Sequence, residues 1–290
     1  MNVDAPPARP SSLVVYSRMI KLSHTIFALP FALAAGWLAS RQVDVGWWQW
    51  ALILACMVTA RSSAMGFNRI VDRDVDAANP RTATREIPSG MISLRAAWAF
   101  TLGSAALFVA FAGLLSTLTL ALAPVALAVV WGYSLAKRYT MWCHLVLGVA
   151  LGLAPAAVWI ALTGSFGWPP LLLSVAVGTW VAGFDVLYAC QDADFDREAG
   201  LYSLPSRLGL ARAMALSAVL HVATVAALVA LPLFVGLSWP YGVGVALISA
   251  VLVYEHAIVS PTDLSRINKA FFDLNGYISL VFLAAVLLAA

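Results

Sequence analysis

Long apolar stretches separated by short polar stretches cover almost the whole chain. A helix needs roughly 20 residues to cross a hydrocarbon core of about 30 Å, and about nine stretches approach that length. Their spans are approximately 24–40, 48–67, 95–115, 118–135, 142–163, 170–189, 213–235, 240–259 and 269–289. The joins near Thr117 and near 236–240 are so short that the adjoining helices must form hairpins. The pattern predicts an all-α, polytopic integral membrane protein in which residues 1–290 form one domain.

Composition supports this prediction. Hydrophobic residues make up 62% of the 290 residues and charged residues 11%, and the mean hydropathy is +0.89, values that exclude a typical soluble domain. Residues 1–12, rich in Pro, Ala and Ser, are expected to be a disordered tail. The first span follows Arg18 and Lys21 and could be mistaken for a signal peptide, but its length favours a retained helix.

The basic residues predict the orientation, because Lys and Arg accumulate in short cytoplasmic loops. Of the 17, only Arg41 falls on one side and Arg61 inside a span, whereas all the others fall on the opposite side. The N-terminus is therefore expected in the cytoplasm and the C-terminus outside, in the inner membrane. Basic residues scattered in this way do not predict nucleic-acid binding, and nothing predicts an obligate protein partner.

A first polar motif ends the second span. Asn68, Asp72 and Asp76 are spaced four apart and would share one helix face. Oxygen ligands of this kind suit Mg²⁺, which commonly bridges to substrate phosphates. Arg61, seven residues earlier on the same face, could contact a diphosphate.

The alternative for this motif is that its carboxylates are ordinary charges at a helix end. Arg69 and Arg73 would then pair with Asp72 and Asp76. That interpretation suits any single Asp better than it suits the whole set with Arg61.

A second acidic motif ends the sixth span, on the same predicted side. It comprises Asp185, Tyr188, Gln191, Asp192, Asp194, Asp196 and Glu198. Asp192 and Asp196 are again four apart, and Asp185 lies about two helical turns before Asp192. Two facing carboxylate clusters can share metal ions that bridge one diphosphate. Alone, the motif could equally be a solvated acidic loop.

The remaining polar residues are less specific. Lys137, Arg138, Arg81 and Arg85 could stabilise a departing diphosphate, although each also fits a cytoplasmic loop. Lys21 could reach either the lipid headgroups or the site. The residues expected to be core or interfacial are His24, His144, His221 and His256, and those expected to be small buried apolar groups are Cys56, Cys143 and Cys190.

Three segments together resemble the UbiA superfamily of intramembrane prenyltransferases. They are 68–90 (NRIVDRDVDAANPRTATREIPSG), 133–140 (YSLAKRYT) and 185–209 (DVLYACQDADFDREAGLYSLPSRLG). The resemblance extends over nearly the whole chain in the order of its spans. It implies nine helices around a central cavity that is closed by loops carrying the Asp motifs and is open to lipid.

The resemblance also implies roles for individual residues. Metal ligands would be Asn68, Asp72, Asp76, Asp192 and Asp196. Catalytic residues would be Asp72, Asp76, Asp192, Asp196, Arg138 and Asp185. Diphosphate or acceptor would be bound by Arg61, Asn68, Arg81, Arg85, Tyr133, Lys137 and Tyr188.

The implied activity is Mg²⁺-dependent transfer of a polyprenyl group from its diphosphate to a hydroxylated aromatic acid. The segments look closest to 4-hydroxybenzoate polyprenyltransferases and their relatives in the futalosine route to menaquinone. Residues 21–25 (KLSHT) depart from the Pro-containing stretch expected of the ubiquinone enzymes. The ubiquinone and menaquinone pathways therefore both stay open, as does the alternative of a family member that acts on another aromatic acceptor.

Two other classes use similar residues. A cation-coupled transporter would also need intramembrane Asp and Arg, but nearer the bilayer midplane. An enzyme that handles CDP-linked alcohols would carry a glycine-containing signature, which is absent around Asp72 and Asp192. The position of the acidic motifs at helix ends therefore favours a prenyltransferase.

Overall fold

The computed structural model describes residues 11–21 and 25–290 of the chain. These residues form helices, whose bounds are α1 Ser12–Met19, α2 Thr25–Ser40, α3 Trp47–Val71, α4 Arg73–Ala78, α5 Leu94–Leu115, α6 Thr117–Ala136, α7 Cys143–Thr163, α8 Trp168–Ala189, α9 Ala193–Glu198, α10 Leu204–Leu208, α11 Leu210–Ala230, α12 Trp239–Ala257, α13 Ile267–Lys269 and α14 Asn275–Ala289. His24 and residues 1–10 of the expected tail lie outside the described residues. Because α1 begins at Ser12, the helical part starts inside that expected tail.

The predicted spans correspond to helices. Eight helical stretches in the described part of the chain are long and apolar enough to cross a membrane, and the apolar part of α2, Leu29–Ser40, is shorter. Two ends fall short of the predicted spans: α14 begins at Asn275 rather than at residue 269, after a π-helical turn over Ala270–Leu274, and α11 ends at Ala230 rather than at residue 235. Two other ends extend beyond the predicted spans: α3 continues to Val71 rather than ending at residue 67, and α11 begins at Leu210 rather than at residue 213. Both extensions are polar or charged in part, so the apolar pattern gave no signal for them.

The predicted hairpin between α5 and α6 has a clear local cause. Ser116 separates the two helices with an extended backbone, and its side chain accepts a hydrogen bond from the backbone N–H of Thr119 at 3.1 Å. This bond satisfies one of the free N–H groups of the first turn of α6. One residue is therefore enough to end one helix and start the next.

The chain breaks its helix at both acidic motifs in the same way. Helix α3 ends at Val71, and Asp72 leads into the six-residue α4; α8 ends at Ala189, and a short 3₁₀ turn leads into the six-residue α9. At the first break the spacing of four is preserved, because the N–H of Asp72 donates to Asn68 O (2.9 Å) and that of Asp76 to Asp72 O (2.7 Å). Carboxylates on both sides of each break therefore stay near the end of the bundle.

Helices α7 and α8 cross with no side chain between their backbones. A methyl group added at Gly148 would lie 2.2 Å from the carbonyl oxygen of Gly178, and one at Gly152 would lie 2.7 Å from that of Ser174. Small residues permit this approach, which is common between membrane helices. The outer faces of the bundle instead carry exposed apolar side chains, among them Val125, Val222 and Leu288, as expected of a surface in contact with lipid.

Candidate functional site

A cavity of about 530 Å³ runs between α3, α5, α6, α7 and α8. At one end it reaches both helix breaks, and there it is lined by Arg61, Asn68, Asp72, Asp76, Arg81, Arg85, Tyr133, Lys137, Asp185, Tyr188, Asp192 and Asp196. The fold thus brings together every residue proposed from sequence for this site, although Arg138 reaches it through Asp72 and does not line the cavity. The two acidic motifs, distant in sequence, share one wall.

Asp72 is the most heavily paired carboxylate of the site. Its Oδ2 accepts from Lys137 Nζ at 2.7 Å and from Asn68 Nδ2 at 3.2 Å, and its Oδ1 accepts from Arg138 Nη1 at 3.1 Å. Arg138 also donates to the backbone oxygen of Val71 at 2.9 Å. Arg138 therefore holds Asp72 at the helix break from a position outside the cavity lining.

Asp76 and Asp192 pair with residues of the loop that follows α4. Arg85 Nη1 donates to Asp76 Oδ1 at 2.6 Å, whereas the buried Asp76 Oδ2 has no hydrogen-bond partner. Arg81 donates two hydrogen bonds to Asp192, and it also donates to the hydroxyl of Tyr188 at 3.1 Å. The loop thereby joins the first motif to the second through side-chain ion pairs.

The carboxylate and amide oxygens of the two motifs are of the kind that binds Mg²⁺, but in this conformation Asp72, Asp76 and Asp192 are paired with Arg and Lys side chains. In residues 11–21 and 25–290, no three His, Cys, Asp or Glu side chains are grouped so that they could hold a metal ion. The unpartnered Oδ2 of Asp76 is nevertheless a buried oxygen of the kind Mg²⁺ takes. The arginines and Lys137 are long enough to turn from carboxylate to phosphate, so Asn68 and the four motif carboxylates could hold metal together with a diphosphate.

Two arginines of α3 fix the segment that follows α1. Arg61 Nη2 donates to Lys21 O at 3.3 Å, and the buried Arg69 donates from Nε to Met19 O at 3.4 Å. Arg69 therefore does not pair with the motif carboxylates, and Arg73 pairs with Asp74. The buried Nε of Arg61 has no partner, which leaves a donor available beside the cavity.

Lys21 lines the cavity among these arginines. Burial, and after it the charges of Arg69, Arg85, Arg81 and Arg61 in that order, lower the pKa of Lys21 to about 7. A bound anion would stabilise this group of cations. The question left open by the sequence is therefore answered: Lys21 lies at the site.

The lowered pKa of Lys21 predicts a pH-dependent stability. Between pH 7 and about 10.5 the unfolded chain binds a proton that the folded chain does not, so stability rises with pH across this window. We expect Lys21→Gln to raise the melting temperature of the ligand-free protein by a few degrees at pH 6.5, with a smaller gain at pH 9. Thermal unfolding in detergent measures this.

The exposed Lys269 provides the control for this prediction. Lys269→Gln should leave the melting temperature nearly unchanged at both pH values. A gain for Lys21→Gln that is equal at pH 6.5 and pH 9 would show that the ammonium charge is not its cause.

One histidine of the site was not identified from the sequence. His144, in the first turn of α7, lies in the cavity wall, and its Nδ1 is 2.7 Å from Asp185 Oδ2. His221 and His256 do conform to the expectation of core or interfacial residues, and they contact each other at 2.9 Å. The available signal for His144 was its position: it opens an apolar span six residues after Arg138, at the same end as both motifs.

Beyond the polar groups the cavity is apolar. Its wall continues toward the opposite end of the bundle along Ile53, Met57, Phe108, Ala112, Leu115, Leu122, Ala126, Leu151, Ala154 and Val158. The sequence did not identify these apolar lining residues. A membrane helix is apolar on every face, so cavity-facing and lipid-facing residues cannot be distinguished from sequence alone. The arrangement suits an amphiphile with an anionic head and a hydrocarbon tail.

The structure also places the remaining acidic residues of the second motif and the three cysteines. Asp194 and Glu198 are exposed on α9, so they do not belong to the cavity wall. Among the expected buried cysteines, Cys190 is buried, whereas Cys56 and Cys143 are partly exposed and line the cavity.

Known proteins share both the sequence pattern and the fold. The model of the UbiA prenyltransferase family matches residues 28–285. A protein named 4-hydroxybenzoate octaprenyltransferase from Citrobacter koseri is 28% identical over 274 residues, which cover 93% of this chain and 94% of that protein.

Solved structures of UbiA homologs have the same fold as this chain. The apo structure of a UbiA homolog from Aeropyrum pernix K1 is 36% identical, covers 91% of this chain and 97% of its own, and superposes with a TM-score of 0.83. A UbiA homolog from Archaeoglobus fulgidus bound to DMAPP and Mg²⁺ is 22% identical, and the match covers 92% of this chain and 98% of the homolog. Its TM-score of 0.68 shows a shared fold. Together with the match over residues 28–285, these findings establish that the chain belongs to the UbiA prenyltransferase family.

Proposed function

We propose that this protein transfers a polyprenyl group from a polyprenyl diphosphate to the ring of a hydroxylated aromatic acid of the 4-hydroxybenzoate type. The reaction depends on Mg²⁺, releases diphosphate and serves ubiquinone or menaquinone biosynthesis. Family membership and the name of the Citrobacter koseri relative support the reaction class. The Archaeoglobus fulgidus homolog bound to DMAPP and Mg²⁺ supports the donor and the metal.

One observation carries the proposal. Carboxylates and cations from both motifs converge at one end of a single cavity whose remaining wall is apolar. A metal-bound diphosphate matches the first part, and a prenyl tail matches the second. The charged groups lie at helix breaks near the end of the bundle, which is not the midplane placement expected of a transporter.

In this mechanism the polar end binds the diphosphate and assists its departure. Asn68, Asp72, Asp76, Asp192 and Asp196 would hold Mg²⁺, which would supply positive charge to the phosphate oxygens. Lys137, Arg81, Arg85 and Arg61 exchange carboxylate partners for phosphate oxygens as the allylic carbon–oxygen bond breaks and its electron pair goes to diphosphate. Arg138 keeps Asp72 in place throughout.

The aromatic acceptor meets the allylic carbon within the cavity. The hydroxyl group makes its ring electron-rich, so the ring attacks the allylic cation, and the new carbon–carbon bond is followed by loss of one ring proton. Asp185 lines the cavity, and we assign to it the removal of that proton. The apolar wall excludes water, which would otherwise capture the cation.

The proposed location is the inner membrane, with both motifs facing the cytoplasm. The loops 72–93, 137–142 and 190–209 lie at the end of the bundle that carries the motifs and contain seven basic residues, whereas the loops 41–46, 164–167 and 231–238 at the opposite end contain only Arg41. This asymmetry supports the orientation through the tendency of basic loops to remain cytoplasmic.

Purified protein offers the direct test. We expect a mixture of prenyl diphosphate, 4-hydroxybenzoate and Mg²⁺ to yield a product whose mass is that of the acid plus the prenyl group minus one hydrogen. Removal of Mg²⁺ with EDTA should abolish the product, and benzoate, which lacks the hydroxyl group, should not be prenylated. Mass spectrometry across a panel of acids and chain lengths then identifies the preferred pair; absence of product from every pair would refute the proposed reaction.

A further inference from the structure

His144 and Asp185 form a buried pair beside the proposed reaction centre. His144 Nδ1 lies 2.7 Å from Asp185 Oδ2, a short distance that indicates a strong hydrogen bond. The side chain of His144 is 4% exposed, whereas that of Asp185 retains 26% of its surface toward the cavity. His144 is therefore almost entirely buried in the cavity wall, beside a more exposed carboxylate that substrate can reach.

The second ring nitrogen shows which tautomer the imidazole adopts. The backbone N–H of Leu204 donates to His144 Nε2 at 3.3 Å, and this bond requires the lone pair of Nε2. The ring proton is then assigned to Nδ1, from which it donates to Asp185 Oδ2. One oxygen of Asp185 is thus engaged by a fixed donor, and the other remains free to face the cavity.

The partner of Nε2 belongs to a well-anchored segment. Leu204 is fully buried, and the preceding Tyr202 donates from its backbone N–H to Lys137 O at 2.7 Å. The Cys143 thiol, next to His144, donates to Tyr202 O at 3.3 Å. The segment that follows the second acidic motif therefore holds the imidazole, and the imidazole holds Asp185.

We propose that His144 is a positioning residue for Asp185 in proton removal, an inference that rests on the proposed prenyl transfer. The Nδ1–H group holds one oxygen of Asp185 and directs the other oxygen to the acceptor ring. When the ring carbon–hydrogen bond breaks, its electron pair restores the aromatic ring and the proton passes to that oxygen, which gives a neutral carboxyl group. His144 itself does not touch the substrate.

Two substitutions separate the two nitrogens of His144. The amide of Asn places a donor near the position of Nδ1, whereas that of Gln places an acceptor near the position of Nε2. We expect His144→Asn to keep kcat within a factor of about 5, and His144→Gln and His144→Ala to lower kcat about 10- to 100-fold. The KM for prenyl diphosphate should not change, because its binding groups lie elsewhere.

A double-mutant cycle with Asp185→Asn tests whether His144 acts through Asp185. In the Asp185→Asn background, His144→Gln should cause little further loss of kcat, and melting temperatures of all variants should be compared in parallel. Equal losses with and without Asp185, or losses that follow only the melting temperature, would overturn the positioning role. A wild-type protein without prenyl transfer would refute the proposed function instead, whereas an active wild type with fully active His144→Gln would refute this inference alone.

Discussion

Asp72→Asn is expected to lower kcat about 10²- to 10³-fold, the loss typical of removing one group that stabilises charge in a transition state. The substitution keeps the shape of the side chain but removes the charge that pairs with Lys137 and Arg138. It also weakens a ligand of the proposed Mg²⁺. Initial rates of prenyl transfer at saturating Mg²⁺ measure the effect.

Asp74 provides a matched control for Asp72. It lies two residues away in α4, but its side chain is 86% exposed and pairs only with the partly exposed Arg73. We expect Asp74→Asn to retain full activity and the wild-type melting temperature. If Asp72→Asn proved as active as Asp74→Asn, the first motif could not be a metal site.

Asp192→Asn is expected to have a comparable effect through the second motif. We expect kcat to fall by about 10² or more and the Mg²⁺ concentration for half-maximal activity to rise, because a ligand charge has been removed. The matched control is Asp194→Asn, since that side chain is 90% exposed and pairs with Arg197 on the surface of α9. Rates measured over a series of Mg²⁺ concentrations give both quantities.

A further variant distinguishes two explanations for Asp192. Its carboxylate could act on the metal, or it could serve only to hold the loop through Arg81. Arg81→Met removes the loop contact, and with it a cation that we assign to the diphosphate, but leaves the carboxylate intact, so it should lower kcat without changing the Mg²⁺ requirement. If Asp192→Asn also left the Mg²⁺ requirement unchanged, Asp192 would be an anchor for the loop and not a metal ligand.

The helices could be predicted from the sequence because lipid imposes long apolar runs with few exceptions. The same rule concealed the end of α3, where polar and charged residues continue the helix beyond residue 67 to Val71. There the backbone remains helical, with the N–H of Asp72 bonded to Asn68 O, while the side chain of Asn68 lines the cavity and the buried Arg69 donates to Met19 O. Hydropathy alone cannot distinguish such a helical end from the start of a loop.

The acidic residues at the polar end of the cavity could be predicted from their spacing, but their partners could not. Asp72 and Asp76 were recognisable as a pair on one helix, whereas their pairing with Lys137 and Arg85 depends on how α6 and the loop after α4 pack against them. The position of Arg138 outside the cavity lining likewise depends on the side from which it approaches Asp72. These are long-range contacts, to which local sequence is blind.

His144 illustrates the same limit from the other direction. A single histidine in an apolar span gives no indication of a partner 41 residues later in the sequence. Its importance becomes visible only when α7 and α8 are placed side by side and Asp185 meets the ring. The spacing of four within each acidic motif, in contrast, is local and could be read directly from the chain.

The close contact between the backbones of α7 and α8 determines the distance between the two residues of the His144–Asp185 pair. Gly148 lies one turn, about 6 Å, beyond His144 along α7, and Gly178 lies about 10 Å before Asp185 along α8. Because the backbones of α7 and α8 are in contact at Gly148 and Gly178, the distance between the two helices is fixed there. The separation of His144 and Asp185 is therefore fixed as well. A methyl group added at Gly148 would push the two helices apart and break the hydrogen bond between His144 and Asp185, although no residue that contacts the substrate would change.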